Sequence, residues 1–188
     1  MEGTFNEFIS LCDNNNSHVR RVAEYSKILA RQCGLQRGQV NLIYLAAPMH
    51  DIGKLGIADV ILNKPGKLLN EEFDLMKEHC RIGYEMLNSL ERPLMKVAAI
   101  IALEHHEKFD GSGYPNGLKG VDIHLFARIV AIADVFDALG TERCYKKAWD
   151  YGDILKFMVR EKRRHFDPDL VDLFLENLDE VVEVREKY

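Results

Sequence analysis

The chain has 188 residues, 47% of them hydrophobic and 29% charged, with a formal net charge of -5. At about 100–200 residues per domain this suits one globular domain and leaves no room for two full enzyme domains. The apolar fraction excludes a disordered chain, and the acidic balance argues against a nucleic-acid polymer as main partner, although a small anionic ligand stays open.

The opening MEGTFNEFIS has neither a basic n-region nor an apolar h-region, so no secretory signal is read there. No run approaches the ~18 apolar residues of a membrane span. Cys12, Cys33, Cys80 and Cys144 lie far apart without a C-x-x-C spacing, as in a reducing compartment. The expectation is a soluble, cytoplasmic protein.

Helical periodicity dominates the chain. Val19, Val22, Ser26, Leu29 and Cys33 form a stripe that stops at Gly34. Leu42, Leu45, Ala46 and Met49 carry a second to Asp51-Ile52-Gly53, and Pro65-Gly66 marks a turn. Asn70 reads as the N-cap of a helix through Phe73, Met76, Cys80 and Leu87, with Glu71 and Glu72 at its positive end. Pro93 opens the next helix, with Val97, Ile100 and Ile101 on its apolar face. DGSGYPNGLKG, from Asp110 to Gly120, holds four glycines and a proline and is loop. Helices resume over Leu125 to Leu139 and around Ile154 to Val159, and Asp167-Pro168 caps a last one. The β-branched runs at Val121 and Val181 are too short for a convincing sheet. The predicted fold is one all-α domain over 1–188, a bundle of seven or eight helices with a Gly-rich loop. Glu176 to Tyr188 is a charged tail, either frayed or a partner surface.

Seven histidines occur, at 18, 50, 79, 105, 106, 124 and 165. Taken singly each has an ordinary reading: His50-Asp51 is a chance-level dipeptide, His79 a helix-surface histidine, and Asp134 the partner of a buried Arg or Lys. Together they follow a spacing. From 18 to 50, 51 to 79, 79 to 105 and 106 to 134 the gaps are 32, 28, 26 and 28 residues, about one helix plus a connection, so successive helices can deliver ligands to one interior. Five imidazoles and two carboxylates exceed the needs of one tetrahedral zinc. They suit two octahedral-leaning first-row ions with a carboxylate bridge, such as iron or manganese. Such a pair activates water and stabilises in-line attack at phosphorus.

His50-Asp51 within AAPMHDIGKLGIADVILNKPGKL, then Met76-Lys77-Glu78-His79, HHEKFDGSGYPNGLKG and RIVAIADVFDALGTERCYKKA, resembles the HD-GYP family of the HD phosphohydrolase superfamily. The likeness covers residues 17–172, and HHExxDGxGYP is matched at each specified position by His105, His106, Glu107, Asp110, Gly111, Gly113, Tyr114 and Pro115. It implies an all-helical fold that cleaves cyclic di-GMP at a two- or three-metal site. On this chain it implies metal binding by His18, His50, Asp51, His79, His105, His106 and Asp134, with Asp51 as the bridge. It implies that Lys54 meets a substrate phosphate, that Tyr114 lies beside the substrate, and that Arg143 and Lys146 grip its phosphates. Asn14 stands where trimetallic members have a Glu, which implies two metals; the expectation is iron first and manganese as the alternative. Cys144 replaces a common proline, and the glycine usual before His165-Phe166-Asp167-Pro168 is replaced within Glu161 to His165.

Of the other residues, His124 and His165 read as surface or capping, and Lys162, Arg163 and Arg164 as a solvated helix end. Trp149 reads as packing, and Asp137 as an outer partner of the metal ligands. The resemblance implies a phosphodiesterase in which a metal-bridging hydroxide opens cyclic di-GMP to pGpG, with GMP as a further product. Lys54 or a metal-bound water protonates the leaving oxygen. Two alternatives stay open: a regulatory module binding cyclic dinucleotide and signalling proteins, and a phosphodiesterase for cyclic GMP-AMP. Family members are often output units joined to receiver or sensor domains, and only 17 residues precede His18, so the expectation is an isolated or an excised output domain.

Overall fold

The computed structural model describes residues 16–141 and 148–188. Among them lie ten α-helices and three short 3₁₀ turns. The first helix, α1 (Asn16–Gln32), buries Val19, Val22, Tyr25, Ser26 and Leu29 along one stripe. It ends where Gly34 adopts φ +75°. Gly34 N–H then donates to the Arg31 carbonyl at 3.0 Å and Leu35 N–H to that of Ala30 at 3.2 Å, which satisfies carbonyls that the helix end would leave bare.

α2 (Arg37–Ala46) runs into a 3₁₀ turn, Ala47–Met49, and a second, Ile52–Gly56, with His50 and Asp51 between them. A short α3 (Asp59–Leu62) leads to α4 (Asn70–Lys77) and α5 (His79–Asn88). The second 3₁₀ turn lies directly on α5. A Cβ at Gly53 would fall 1.9 Å from the His79 carbonyl oxygen and 2.5 Å from Gly83 N, so only glycine lets the backbones approach this closely. α6 (Pro93–Glu104) packs on α5, and α7 (Leu125–Gly140) is the most buried helix, with Ile129, Val130, Ile132, Ala133 and Phe136 inside. α8 (Tyr151–Arg160), α9 (Pro168–Glu176) and α10 (Leu178–Lys187) close the bundle. Asp150 and Asp167 cap α8 and α9 by accepting from Gly152 N–H (2.9 Å) and Asp169 N–H (3.0 Å).

Three aromatic rings join α1, α7 and α9. Tyr25 meets Phe136 edge to face at 5.4 Å, and Phe136 meets Phe174 at 4.9 Å. Removing a ring of this kind costs about 3–5 kcal/mol, so this cluster holds in place the helices that carry His18 and Asp134.

The all-helical class agrees with the sequence, while the number of helices is higher than seven or eight. The helix expected from Asn70 to Leu87 breaks at Glu78, giving α4 and α5. Its N-cap is Leu69 rather than Asn70, and the Glu72 carboxylate accepts from Leu69 N–H at 2.7 Å. Asp167-Pro168 caps the penultimate helix, because the charged C-terminal segment is itself helical. In α10 Val181 is fully buried, and Glu180 takes both carboxylate contacts of Arg31 from α1 at 2.6 and 2.7 Å. The run at Val121 lies in the 3₁₀ turn Gly120–Asp122, and the one at Val181 in α10. No described helix is long and apolar enough to cross a membrane.

Candidate metal centre

Five elements converge at one end of the core. His18 comes from α1, His50 and Asp51 from the junction of two 3₁₀ turns, His79 from the start of α5, His105 and His106 from the end of α6, and Asp134 from α7. Helix ends suit this work, since residues there leave the helical stripe and project into the interior. The structure brings all seven together in two adjoining groups. Asp51, His79, His105 and His106 form one and His18, His50 and Asp134 the other, each with its ligand atoms within 4.8 Å of one another.

Asp51 spans the two groups. Its Oδ1 lies 3.3 Å from His79 Nε2 and 3.8 Å from His105 Nε2, while Oδ2 lies 3.4 Å from His50 Nε2. Asp134 Oδ1 sits 3.4 Å from His18 Nε2 and 3.9 Å from His50 Nε2.

The imidazoles are oriented from behind. His50 Nδ1 donates to the Ala47 carbonyl (2.8 Å), His79 Nδ1 to Met76 (2.7 Å), and His105 Nδ1 is 3.1 Å from both the Ile101 and Ala102 carbonyls. His18 Nδ1 donates to Asp137 Oδ2 at 2.6 Å. Holding the proton on Nδ1 aims the Nε2 lone pair at the centre, the arrangement that metal-ligating histidines use. Asp137 is held in turn by Arg21, whose Nε and Nη2 reach its two oxygens at 2.5 and 2.9 Å. Within the site three buried atoms are left without a hydrogen-bond partner, His50 Nε2, His105 Nε2 and Asp51 Oδ1. Unsatisfied buried polar atoms are costly, and all three face the same space. The donor set and these orphaned atoms fit divalent cations.

The titration of the site follows the same logic. Burial would push the His18 imidazole down, but hydrogen bonds to Asp134 and Asp137 prevail and raise it to about 9. His50 is likewise raised against its burial by the charge of Asp51. Burial opposes ionisation of Asp51, but His50 and Lys54 hold its carboxyl well below the usual range, and His18 does the same for buried Asp134. In the other group burial and the charge of His105 take His79 down to about 4 and push His106 well below its ordinary value. The site thus combines carboxylates held ionised, Asp51 and Asp134, with imidazoles held neutral, His79 and His106. A divalent cation suits both.

Around this centre, Lys54 Nζ contacts Asp51 Oδ2 at 2.5 Å, and its side chain is 41% exposed. Tyr114 lies tilted over His106 with ring centroids 4.8 Å apart. Arg143, Lys146, Asn14 and Cys144 lie outside the described residues.

Sequence reasoning assigned no role to Glu107 and Arg21. Glu107 is fully buried and accepts from Asn116 N–H (2.7 Å) and Leu118 N–H (3.0 Å), folding the Gly-rich loop around one carboxylate. Its place inside HHExxDGxGYP was the available signal. Arg21, one helical turn after His18, had none, because its partner Asp137 is 116 residues away. His124 caps α7 by accepting from Phe126 N–H at 3.1 Å. His165 is not a surface residue: it is half-buried and stacked on Phe166 at 4.3 Å, and burial lowers it to about 4. Its carbonyl accepts from Phe109 N–H (3.1 Å) and that of Arg164 from Asp110 N–H (2.8 Å), anchoring the loop. Just before them Arg163 adopts φ +63°, left-handed backbone in the stretch where the sequence lacks the usual glycine. Lys162 pairs with Asp172, and Trp149 packs edge to face on Phe157 at 5.7 Å.

Comparison with known proteins adds three findings. The family model described as HD domain matches residues 8–170. The chain is 50% identical over 169 residues to 3'3'-cGAMP-specific phosphodiesterase 2 of Vibrio cholerae, covering 90% of this chain and 32% of that protein. It is 48% identical over 160 residues to the cyclic di-GMP phosphodiesterase response regulator RpfG of Xanthomonas campestris, covering 85% and 42%. Thus it spans about a third to two fifths of the length of these relatives. Among solved structures, the HDG"Y"P protein Bd1817 of Bdellovibrio bacteriovorus shares the fold, with TM-score 0.68, 22% identity, and coverage of 86% of this chain and 51% of that one.

Proposed function

Since the chain belongs to the HD domain family, in its HD-GYP branch, we propose that it is a metal-dependent phosphodiesterase that opens cyclic di-GMP to pGpG. The observation that carries the reading is Asp51, whose two oxygens face separate histidine groups while one stays without a hydrogen-bond partner. Two divalent ions, iron first and manganese as the alternative, would be held by His18, His50 and Asp134 on one side and His79, His105 and His106 on the other, with Asp51 between. When bound, they supply Lewis acidity that activates water and neutralises charge at phosphorus.

The chain's own residues supply the rest. The backbone carbonyls behind His50, His79 and His105 keep those rings in one tautomer, so the ligands need no reorganisation. Lys54 puts a cation beside Asp51, on the exposed side of the site, where a non-bridging phosphate oxygen gathers charge in the transition state. Lys54 is also the side chain placed to give a proton to the leaving 3′ oxygen. Tyr114 walls the site over His106. By resemblance, Arg143 and Lys146 hold the second phosphate.

A second reading keeps the chemistry and exchanges the substrate for cyclic GMP-AMP, favoured by the 50% identity to a protein named for that specificity. RpfG is named a response regulator and is more than twice as long as its match, which supports an output role coupled to a receiver or sensor, with cytoplasmic location. Metal analysis of anaerobically prepared protein, followed by turnover of both cyclic dinucleotides with product identification, tests the reading. About two metal ions per chain and conversion of cyclic di-GMP to pGpG are expected. Metal-loaded protein that hydrolyses neither dinucleotide would overturn it.

A further inference from the structure

Beside the metal centre lies an aromatic feature that ligand geometry does not explain. Phe73 on α4 is 44% exposed. Its ring meets Tyr114 edge to face, with centroids 6.2 Å apart at 81°, and Tyr114 in turn lies over His106. Lys77, one helical turn beyond Phe73, sets its Nζ 4.9 Å from the Phe73 centroid and 5.8 Å from that of Tyr114. Asp74 Oδ1 accepts from the same ammonium at 2.7 Å. The result is a corner of two aromatic walls and one cation, a single ring away from a candidate metal ligand. Leu69 and Leu75 on the same stretch are also exposed, but only Phe73 is tied to the site, through Tyr114.

We propose that this corner takes a purine base of the nucleotide substrate, with Phe73 as stacking face and Lys77 as the group that favours guanine. The proposal deepens the phosphodiesterase reading and rests on it. Bases present a flat π face, and stacking on one aromatic side chain is worth between about fivefold and a hundredfold in affinity. Guanine offers two acceptors, N7 and O6, on one edge, which an ammonium can meet. Adenine replaces O6 by an amino donor that repels it. Phe73 otherwise leaves apolar surface in water beside a polar site, and a stacked base removes that surface.

The test compares ligands that differ only in the base. GMP, AMP and ribose 5-phosphate are titrated calorimetrically into manganese-loaded protein, a readout that needs no turnover, while cyclic di-GMP hydrolysis by the same preparation reports on the phosphodiesterase reading separately. GMP should bind about tenfold more tightly than ribose 5-phosphate. Phe73→Ala should erase that ratio with metal content unchanged, and Phe73→Trp should retain it. Lys77→Met should bring GMP and AMP together. Equal binding of GMP and ribose 5-phosphate by the unaltered protein, or a ratio that survives Phe73→Ala, overturns the base platform even if cyclic di-GMP is hydrolysed. Failure of hydrolysis with the ratio intact overturns the phosphodiesterase reading alone.

Discussion

Replacing Asp137 by asparagine perturbs the metal centre without touching a candidate ligand. The carboxylate is 3% exposed and takes four contacts, from His18 Nδ1 at 2.6 Å, from Arg21 Nε and Nη2 at 2.5 and 2.9 Å, and from Thr141 Oγ1 at 3.2 Å. Asparagine keeps one oxygen and substitutes an NH2 for the other. Whichever way it turns, the NH2 faces a donor, so at least one charge-assisted hydrogen bond is lost, worth roughly 1.5–3 kcal/mol. The Arg21 guanidinium also loses its counter-charge in a mostly buried position, and breaking such a pair costs about 3–5 kcal/mol in all. Denaturant titration with metal chelated should therefore show a loss of about 3–5 kcal/mol. His18 Nδ1 then donates to a neutral amide oxygen at best, no longer to a carboxylate, and loss of such an outer partner typically weakens metal binding by about 10–100-fold, measurable by competition with a chelating dye. Stability within about 0.5 kcal/mol and metal affinity within about twofold of the parent would refute the argument, since they would mean that neither the charge pair nor the imidazole orientation matters.

Asp51→Ala should abolish both metal retention and turnover, whereas Lys54→Ala should keep metal, by elemental analysis, and lower turnover; metal loss in the lysine variant would contradict its assigned role. Arg163→Gly relieves left-handed backbone that costs a side-chain-bearing residue about 1–2 kcal/mol, offset by about 0.5–1 kcal/mol of added chain entropy. The net should be a gain of about 0.5–1 kcal/mol and a Tm about 2 °C higher in calorimetry. His165, at about 4 in the fold against 6.5 in the unfolded chain, binds its proton more readily when unfolded. Its contribution is therefore complete above pH 6.5 and is lost as pH falls toward 4, about 2 kcal/mol by pH 5. His165→Gln should flatten that part of the stability–pH profile, and an unchanged slope between pH 6.5 and 5 would count against the burial argument.

Much of the helical layout and the clustered histidines could be read from residue order because their signals are local. A stripe with a 3.6-residue period, a glycine after a helix and a proline before one act within a few residues. HHExxDGxGYP spells out a helix end and the loop that follows it. The break at Glu78 and the helical tail were hidden because both depend on distant packing: the second 3₁₀ turn lies against α5 through Gly53, and α10 packs on α1, where Glu180 meets Arg31. The same reason separates the two halves of the site. Chain order alone named seven ligand-type residues; that Asp51 stands between two groups, that Arg21 holds Asp137 behind His18 across 116 residues, and that Phe73 meets Tyr114 followed only once the helices were packed. Motif chemistry is written in neighbouring residues, whereas shared carboxylates, charge pairs and aromatic corners are made by segments that the chain keeps far apart until it folds.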